Sequence, residues 1–155
     1  MSSTSSGSSR RRGGRRPPRP ASPSAVLRRQ AGALNRRDLD ALVALYAPQA
    51  VLEFPASPAV VGREAIRRAF ARFFEDWEER ITVRRVLVDD ATVAAEGTAT
   101  GRHRTLHLRI PGRTPTPPRT YRHGFAVFLE VRRGRIHRHR VYYDSRDLVR
   151  QLLPS

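Results

Sequence analysis

The chain has 155 residues, enough for one domain with a buried core, and its 30 basic residues against 14 acidic ones give a formal net charge of +16. Every basic residue is Arg and Cys is absent, which excludes disulfides, thiolate metal sites and a thiol nucleophile. No apolar run reaches membrane-spanning length, so we expect a soluble, cytoplasmic protein without a membrane partner.

Residues 1–24 are predicted to form a disordered leader. They consist almost wholly of Ser, Arg, Gly, Pro and Ala and contain no acid, so they cannot bury a core. The folded domain is then expected over residues 25–155, where subtraction of the leader's six Arg leaves 24 Arg against 14 acids. A basic surface attracts any polyanion. However, exclusive use of Arg beside abundant Ala and Pro suggests a GC-rich genome, and we do not favour nucleic acid as a partner.

Two helices are predicted at the start of the domain. Ser24 is the candidate N-cap of the first, whose apolar residues recur at a 3.6-residue spacing. Asp38 opens the second, where a carboxylate suits the helix dipole, and Pro48 ends it. A short strand is expected at residues 51–54. The buried stripes of the two helices are predicted to be Leu27, Ala31, Leu34, Leu39, Leu42, Val43 and Tyr46.

A third helix follows Gly62 and is rich in aromatic residues. Its large side chains are Ile66, Phe70, Phe73, Phe74 and Trp77. At helical spacing these side chains are large enough to close one side of a cavity. The same pattern is also typical of ordinary core packing, and both interpretations stay open.

From Glu79 onward the apolar period changes to two, which predicts an antiparallel meander. Its strands are expected at residues 81–88, 91–101, 105–110, 119–130 and 135–143. The proline-rich residues 111–118 cannot join a ladder and predict a loop, either a lid or a stiff connector. Helices first and strands later indicate an α+β domain with the helices on one face of a curved sheet.

The last strand carries much of the polar chemistry. One of its faces is predicted to hold Ile136, Arg138, Arg140 and Tyr142, and the other His137, His139, Val141 and Tyr143. An inward row of Arg would be prohibitive without partners. We therefore place His139, Val141 and Tyr143 inside.

A curved sheet that faces three helices leaves a conical cavity suited to a small-molecule substrate. The candidate catalytic residues on the strands are His139, Tyr143, Glu53, Glu96 and His123. Histidine moves protons near neutrality without a large environmental shift, whereas glutamate needs burial to act as an acid. A structural or surface role is the alternative for each His. The predicted substrate-binding residues are Phe54, Tyr46, Phe70, Phe74, Trp77 and Val141.

No metal or cofactor is predicted. His137 and His139 lie two residues apart on one strand face, but no third ligand follows at a clear spacing. His103 and His107 are expected to face solvent. Asp144, which stands beside the candidate Tyr143, is expected to be the N-cap of a C-terminal helix.

Three segments carry a family resemblance: NRRDLDALVALY at residues 35–46, VGREAI at residues 61–66, and DSRDLVRQL at residues 144–152 after the last strand pair. Over about residues 25–153 the chain resembles the SnoaL-like polyketide cyclases of the nuclear-transport-factor-2-like superfamily. The resemblance implies a cone-shaped barrel, in which a curved, mostly antiparallel sheet packs on three N-terminal helices and a short C-terminal helix follows. It also implies a homodimer formed through the outer face of the sheet.

The chain departs from this resemblance at the catalytic positions. Many SnoaL-like cyclases carry His-Trp-Asp in the last strand, with the Asp as acid and base, and Val141 stands where that Asp would be. The similar limonene epoxide hydrolases have a catalytic Asp at the same position. Ketosteroid isomerases are similar around residues 50–55, but Phe54 replaces their basic Asp and Gln30 their oxyanion Tyr.

The resemblance implies a cyclase of a polyketide or similar polyunsaturated intermediate, as in antibiotic biosynthesis. Because the usual Asp is missing, we expect the substrate to be folded in a dry cavity while a His or Tyr polarises a carbonyl, which would suffice for a pericyclic closure. A second interpretation is an isomerase, dehydratase or epoxide hydrolase with a rearranged acid–base pair. A third is a non-catalytic module that binds a ligand, a protein or nucleic acid.

Overall fold

The computed structural model describes residues 17–104 and 118–153. Its helices are α1 (Pro23–Arg36), α2 (Leu39–Val43), α3 (Arg63–Asp76) and α4 (Ser145–Leu152). Its strands are β1 (Tyr46–Glu53), β2 (Val60–Val61), β3 (Trp77–Asp89), β4 (Thr92–His103), β5 (Thr120–Arg132) and β6 (Arg135–Tyr142). The predicted α+β class is confirmed. None of these helices is long and apolar enough to cross a membrane.

Some predictions fall outside the described residues. They concern most of the leader, at residues 1–16, together with the strand at residues 105–110 and the proline-rich loop at residues 111–117. His107 belongs to the same undescribed stretch.

The described strands form one curved, mixed sheet in the order β2-β1-β6-β5-β4-β3. Strands β3 to β6 pair antiparallel in sequence order, as the alternating pattern predicts. Strand β1 pairs parallel with β6, and β2 adds a short antiparallel edge. Within the described residues the sheet is an open cone and does not close into a barrel.

The hydrophobic core lies between the concave face of the sheet and the helices. Helix α1 packs across β3, β4 and β5, and α3 packs against β1 and β3. The largest fully buried side chains include Leu27, Leu42, Leu52, Ile66, Leu129 and Ile136. Burial of one such aliphatic side chain contributes about 1.5–3 kcal/mol, so this core holds the helices over the sheet.

The folded chain begins before residue 25. The N-cap of α1 is Ser22 rather than the predicted Ser24, because the Ser22 hydroxyl accepts a hydrogen bond from the Ala25 N–H at 3.3 Å and Pro23 occupies the first turn. Ala21 packs against the core and reaches the turn at Gly134. The predicted boundary between leader and domain is therefore a few residues too late.

Two predicted helix ends belong to strands. Helix α2 ends at Val43, and Tyr46 begins β1, which also contains Pro48. The Ile136 N–H donates to the Leu45 carbonyl at 2.8 Å, and this bond draws the chain into parallel pairing with β6. Likewise, Trp77 is the first residue of β3. The predicted N-cap Asp144 is confirmed, and Asp38, predicted at the start of the second helix, is the N-cap of α2.

A β-bulge changes the predicted alternation in β6. The pairing with β5 shifts between Val131, opposite Ile136, and Glu130, opposite Arg138. The extra residue is His137, which is exposed, while Ile136 and His139 are both buried. The predicted faces of Ile136 and His137 are therefore wrong, because a bulge reverses the parity of the strand.

Candidate functional site

The concave face of the sheet and helices α1 and α3 enclose a cavity of about 420 Å³, a size typical of small-molecule sites. Its lining reaches from fully enclosed residues such as Ala99 and His139 to the exposed residues Ser57 and Arg72, where the cavity meets solvent. Most of the wall is apolar and includes Leu27, Leu34, Phe70, Phe73, Phe125 and Val127. The polar lining includes Gln30, Asp76, Glu79, His123, His139 and Tyr143.

His139 lies on β6 and is held from behind by Tyr46. The Tyr46 hydroxyl and His139 Nδ1 are 2.7 Å apart, and the two rings stack at 6.0 Å. Gln30 also hydrogen-bonds to the Tyr46 phenol. Burial lowers the pKa of His139 to about 3 and raises that of Tyr46. His139 therefore stays neutral at physiological pH and acts through hydrogen bonds rather than as an imidazolium acid.

A second polar group spans three strands. The Tyr121 hydroxyl donates to Glu79 Oε2 at 2.6 Å. The His123 ring stacks on Tyr121 at 5.6 Å and lies 5.0 Å from the ring of Tyr143. His123 Nδ1 donates to the Gly124 carbonyl at 3.0 Å, and this contact fixes the orientation of the ring.

Burial dominates the electrostatics of this group. Loss of water around the side chain raises the pKa of Glu79, although the Tyr121 hydrogen bond and His123 oppose the rise. Burial and the nearby Glu79 also raise the pKa of Tyr121 and of Tyr143. Both phenols therefore stay protonated and serve as hydrogen-bond donors.

Trp77, the single Trp of the chain, lies between the helices and this polar group. Its ring stacks on Phe73 at 6.2 Å and meets Tyr121 edge-on at 5.6 Å. It also contacts His103 edge-on at 4.4 Å. His103 is buried on the inner face of β4, so the expectation that it faces solvent is wrong.

Two predicted catalytic carboxylates lie on the wrong face of the sheet. Glu53 accepts a hydrogen bond from Arg138 Nε at 2.8 Å, and this contact lowers its pKa. Glu96 is exposed and lies 3.7 Å from Arg85. Because side chains alternate, the fully buried Leu52 takes the inward position of β1 and leaves Glu53 outside. Neither glutamate reaches the cavity.

Two predicted substrate-binding aromatics also lie outside the cavity wall. Tyr46 is fully buried behind His139, where it positions the imidazole. Phe74 packs beneath the guanidinium of Arg37, which stands 5.0 Å from its ring centre. Phe73, one residue earlier on α3, lines the cavity instead.

The remaining predicted residues do lie in the wall. They are His139, His123, Tyr143, Phe54, Phe70, Trp77 and Val141. Their roles in catalysis and substrate binding stay predictions.

Glu79 was missed because the start of β3 was placed too late. Trp77, Glu79 and Ile81 share the inward face of that strand and line the cavity. The period of two therefore extends back to Trp77, and this alternation was the available signal. Among residues 17–104 and 118–153, no three His, Cys, Asp or Glu side chains are grouped as a metal site.

Comparisons with known proteins agree with this architecture. The sequence profile of the SnoaL-like domain matches residues 27–139. A candidate polyketide cyclase from Pseudomonas putida KT2440 is 20% identical, with a TM-score of 0.76 over 86% of this chain and 99% of that one. This likeness supports the cone-shaped fold. A search of curated proteins found no match.

Two further solved structures are somewhat more similar in sequence. A candidate polyketide cyclase from Xanthomonas campestris pv. campestris is 25% identical, with a TM-score of 0.73 over 83% of this chain and 94% of that one. IdmH, a candidate polyketide cyclase from Streptomyces antibioticus, is 26% identical, with a TM-score of 0.69 over 84% of this chain and 98% of that one.

Proposed function

Because the chain belongs to the SnoaL-like domain family, we propose that it is a cyclase of a polyketide or a similar polyunsaturated biosynthetic intermediate. The observation that carries this proposal is the cavity, whose long apolar walls suit a folded carbon chain and whose few polar groups suit its carbonyls. The likeness to the structures from Xanthomonas campestris and Streptomyces antibioticus, both named for this activity, supports the same reaction class.

In the proposed reaction the cavity first holds the reacting ends of the substrate together. Such positioning lowers a barrier by about 7 kcal/mol or more in favourable cases. In this proposal the Tyr46 hydroxyl, 2.7 Å from Nδ1 of neutral His139, donates to that nitrogen, so that Nε2 carries the proton and donates to a substrate carbonyl. A donor preorganised in this way stabilises developing negative charge on oxygen by about 3–4 kcal/mol.

The test is conversion of linear polycarbonyl and polyene ketones into cyclic isomers. Chromatography coupled to mass spectrometry should detect a product of unchanged mass, or one that has lost a single water. Val141→Trp fills the cavity and should reduce turnover by about a hundredfold, because the substrate loses its near-attack geometry. Leu87→Trp, at a position 65% exposed on β3, is the matched control and should retain wild-type turnover.

Equal turnover by wild type and the Val141→Trp variant would contradict the proposal, since the reaction would not use the cavity. Binding without conversion of any such ketone would favour the non-catalytic module.

A further inference from the structure

Resting on the function proposed above, we infer that Glu79 is the catalytic carboxyl group of this cavity and supplies, from β3, the acid–base function that Val141 cannot. The side chain of Glu79 faces inward at the start of the strand and lines the cavity together with His123 and Tyr143. It therefore reaches the same space as the last strand, from the edge strand β3 of the same concave face.

Glu79 differs from the other glutamates of the sheet in its partners. Glu53, Glu78, Glu96 and Glu130 each lie within ion-pair distance of an Arg. Within residues 17–104 and 118–153, Glu79 pairs instead with the phenol of Tyr121. Among the described residues, this arrangement keeps the Glu79 carboxyl group free of a permanent Arg counter-charge. Such a group can both take up and release a proton.

The backbone is shaped to permit this contact. Tyr121 lies on β5 and Glu79 on β3, so the hydrogen bond must cross β4, and it does so at Gly101. A Cβ at Gly101 would stand 2.8 Å from the Tyr121 hydroxyl oxygen and 2.1 Å from the Glu78 carbonyl oxygen. Only glycine leaves room for the phenol to reach the carboxylate at this position.

The phenol occupies Oε2 of Glu79 and so fixes its orientation, which leaves Oε1 for the substrate. Tyr121 is thus a positioning residue. The other titratable groups of this region are His123 on β5, Tyr143 after β6, Asp76 at the end of α3, and His103 on β4. Burial raises the pKa of Glu79 and makes its carboxylate a stronger base than an exposed one.

The step is balanced without a co-reactant. The Glu79 carboxylate takes a proton from a carbon between two carbonyl groups of the substrate. The electron pair of that C–H bond forms a C–C bond to a distant carbonyl carbon of the same molecule, and the π bond of that carbonyl breaks as its electron pair moves onto the oxygen. The oxygen of that carbonyl takes the proton back from the Glu79 carboxylic acid, so substrate and product are isomers.

The experiment uses 5-nitrobenzisoxazole, a small apolar probe of general bases. A base removes the proton beside the ring nitrogen, the C–H electron pair completes a nitrile, and the N–O bond breaks to release a coloured phenolate. Glu79→Gln should slow this elimination by about a hundredfold. Glu96→Gln, a matched change of an exposed carboxylate on the outer face, should leave the rate unchanged.

The pH profile separates a base from a structural residue. Only the ionised carboxylate acts, so the wild-type rate should fall as the pH drops through the raised pKa of Glu79, and Glu79→Gln should lack this acid limb. The Tyr121 hydrogen bond lowers the pKa of Glu79. Tyr121→Phe should therefore move the acid limb to higher pH. This shift can be measured even if the Glu79→Gln variant folds poorly.

Three results would overturn the inference: a Glu79→Gln rate equal to that of wild type, an acid limb that survives in this variant, or loss of the reaction in His123→Gln but not in Glu79→Gln. If any of these results occurs while Val141→Trp still abolishes cyclisation, the role of Glu79 is contradicted but the proposed cyclase function is not. If Glu79 proves to be the base for the probe but no ketone is cyclised, the proposed cyclase function is contradicted, whereas the role of Glu79 as a general base is supported.

Discussion

His139 is buried at the inner end of the cavity, so the pKa of its imidazole reports how well that end is shielded from water. The folded pKa of about 3 lies below the ordinary value of 6.5, so at mildly acidic pH the unfolded chain binds a proton that the folded chain rejects. The contribution to stability is complete above the ordinary pKa and is lost as the pH falls below it.

Because of His139, we therefore expect the free energy of unfolding of the wild-type protein to fall by about 2 kcal/mol as the pH is lowered from about 7 to about 5. His139→Gln keeps a partner for the Tyr46 hydroxyl but removes this titration. Urea unfolding of both proteins at the two pH values measures the difference, in which the opposing contribution of Glu79 is common to both. Identical pH dependence in the two proteins would show that the imidazole is protonated in the fold.

Single residues were predictable from the sequence where charge determined their side of the sheet. The cost of burying Arg138 and Arg140 placed His139, Val141 and Tyr143 inside, and they lie there. The same parity applied to β1 and β4 would have excluded Glu53 and Glu96. The alternation from Trp77 to Ile81 could have placed Glu79 inside, but its pairing with Tyr121, which is 42 residues away in the chain, could not be predicted.

Among the secondary-structure elements, acidic residues located the starts of helices better than apolar spacing located their ends. Asp144 was identified correctly as an N-cap because a carboxylate before a helix accepts the first free N–H groups, and Asp38, placed at the start of a helix for its charge, has the same role. Helix ends were less clear, because Tyr46 and Trp77 suit both a helix stripe and a strand. Pairing with a distant strand settled both positions.

The early start of α1 leads to a prediction about truncation. Removal of residues 1–24 deletes the Ser22 cap and the packed Ala21, whereas removal of residues 1–19 keeps both. The longer deletion should lower the free energy of unfolding by about 1 kcal/mol or more relative to the shorter one. Chemical denaturation followed by circular dichroism gives the comparison. Equal stabilities would place the start of the domain at residue 25, as the sequence predicts.

At the scale of the whole molecule, the fold was predictable and the cavity wall only partly so. Helices before alternating strands imply an α+β domain under almost any detailed pairing, and the cone shape followed from the family resemblance. The parallel contact of β1 with β6 and the bulge at His137 were not predictable, because both depend on register between distant segments. The homodimer stays a prediction, and the exposed Tyr142 on the outer face of β6 would lie at its interface.

The cavity under the sheet should bind an apolar, carbonyl-bearing molecule, and Trp77 in its wall, the single Trp of the chain, makes this binding directly measurable. Titration with β-ionone, a conjugated ketone, should quench Trp77 fluorescence in a saturable manner. Val141→Phe, which narrows the cavity without adding a second Trp, should weaken the apparent affinity by about tenfold or more. Saturable quenching of equal affinity in both proteins, or none in wild type, would contradict the account.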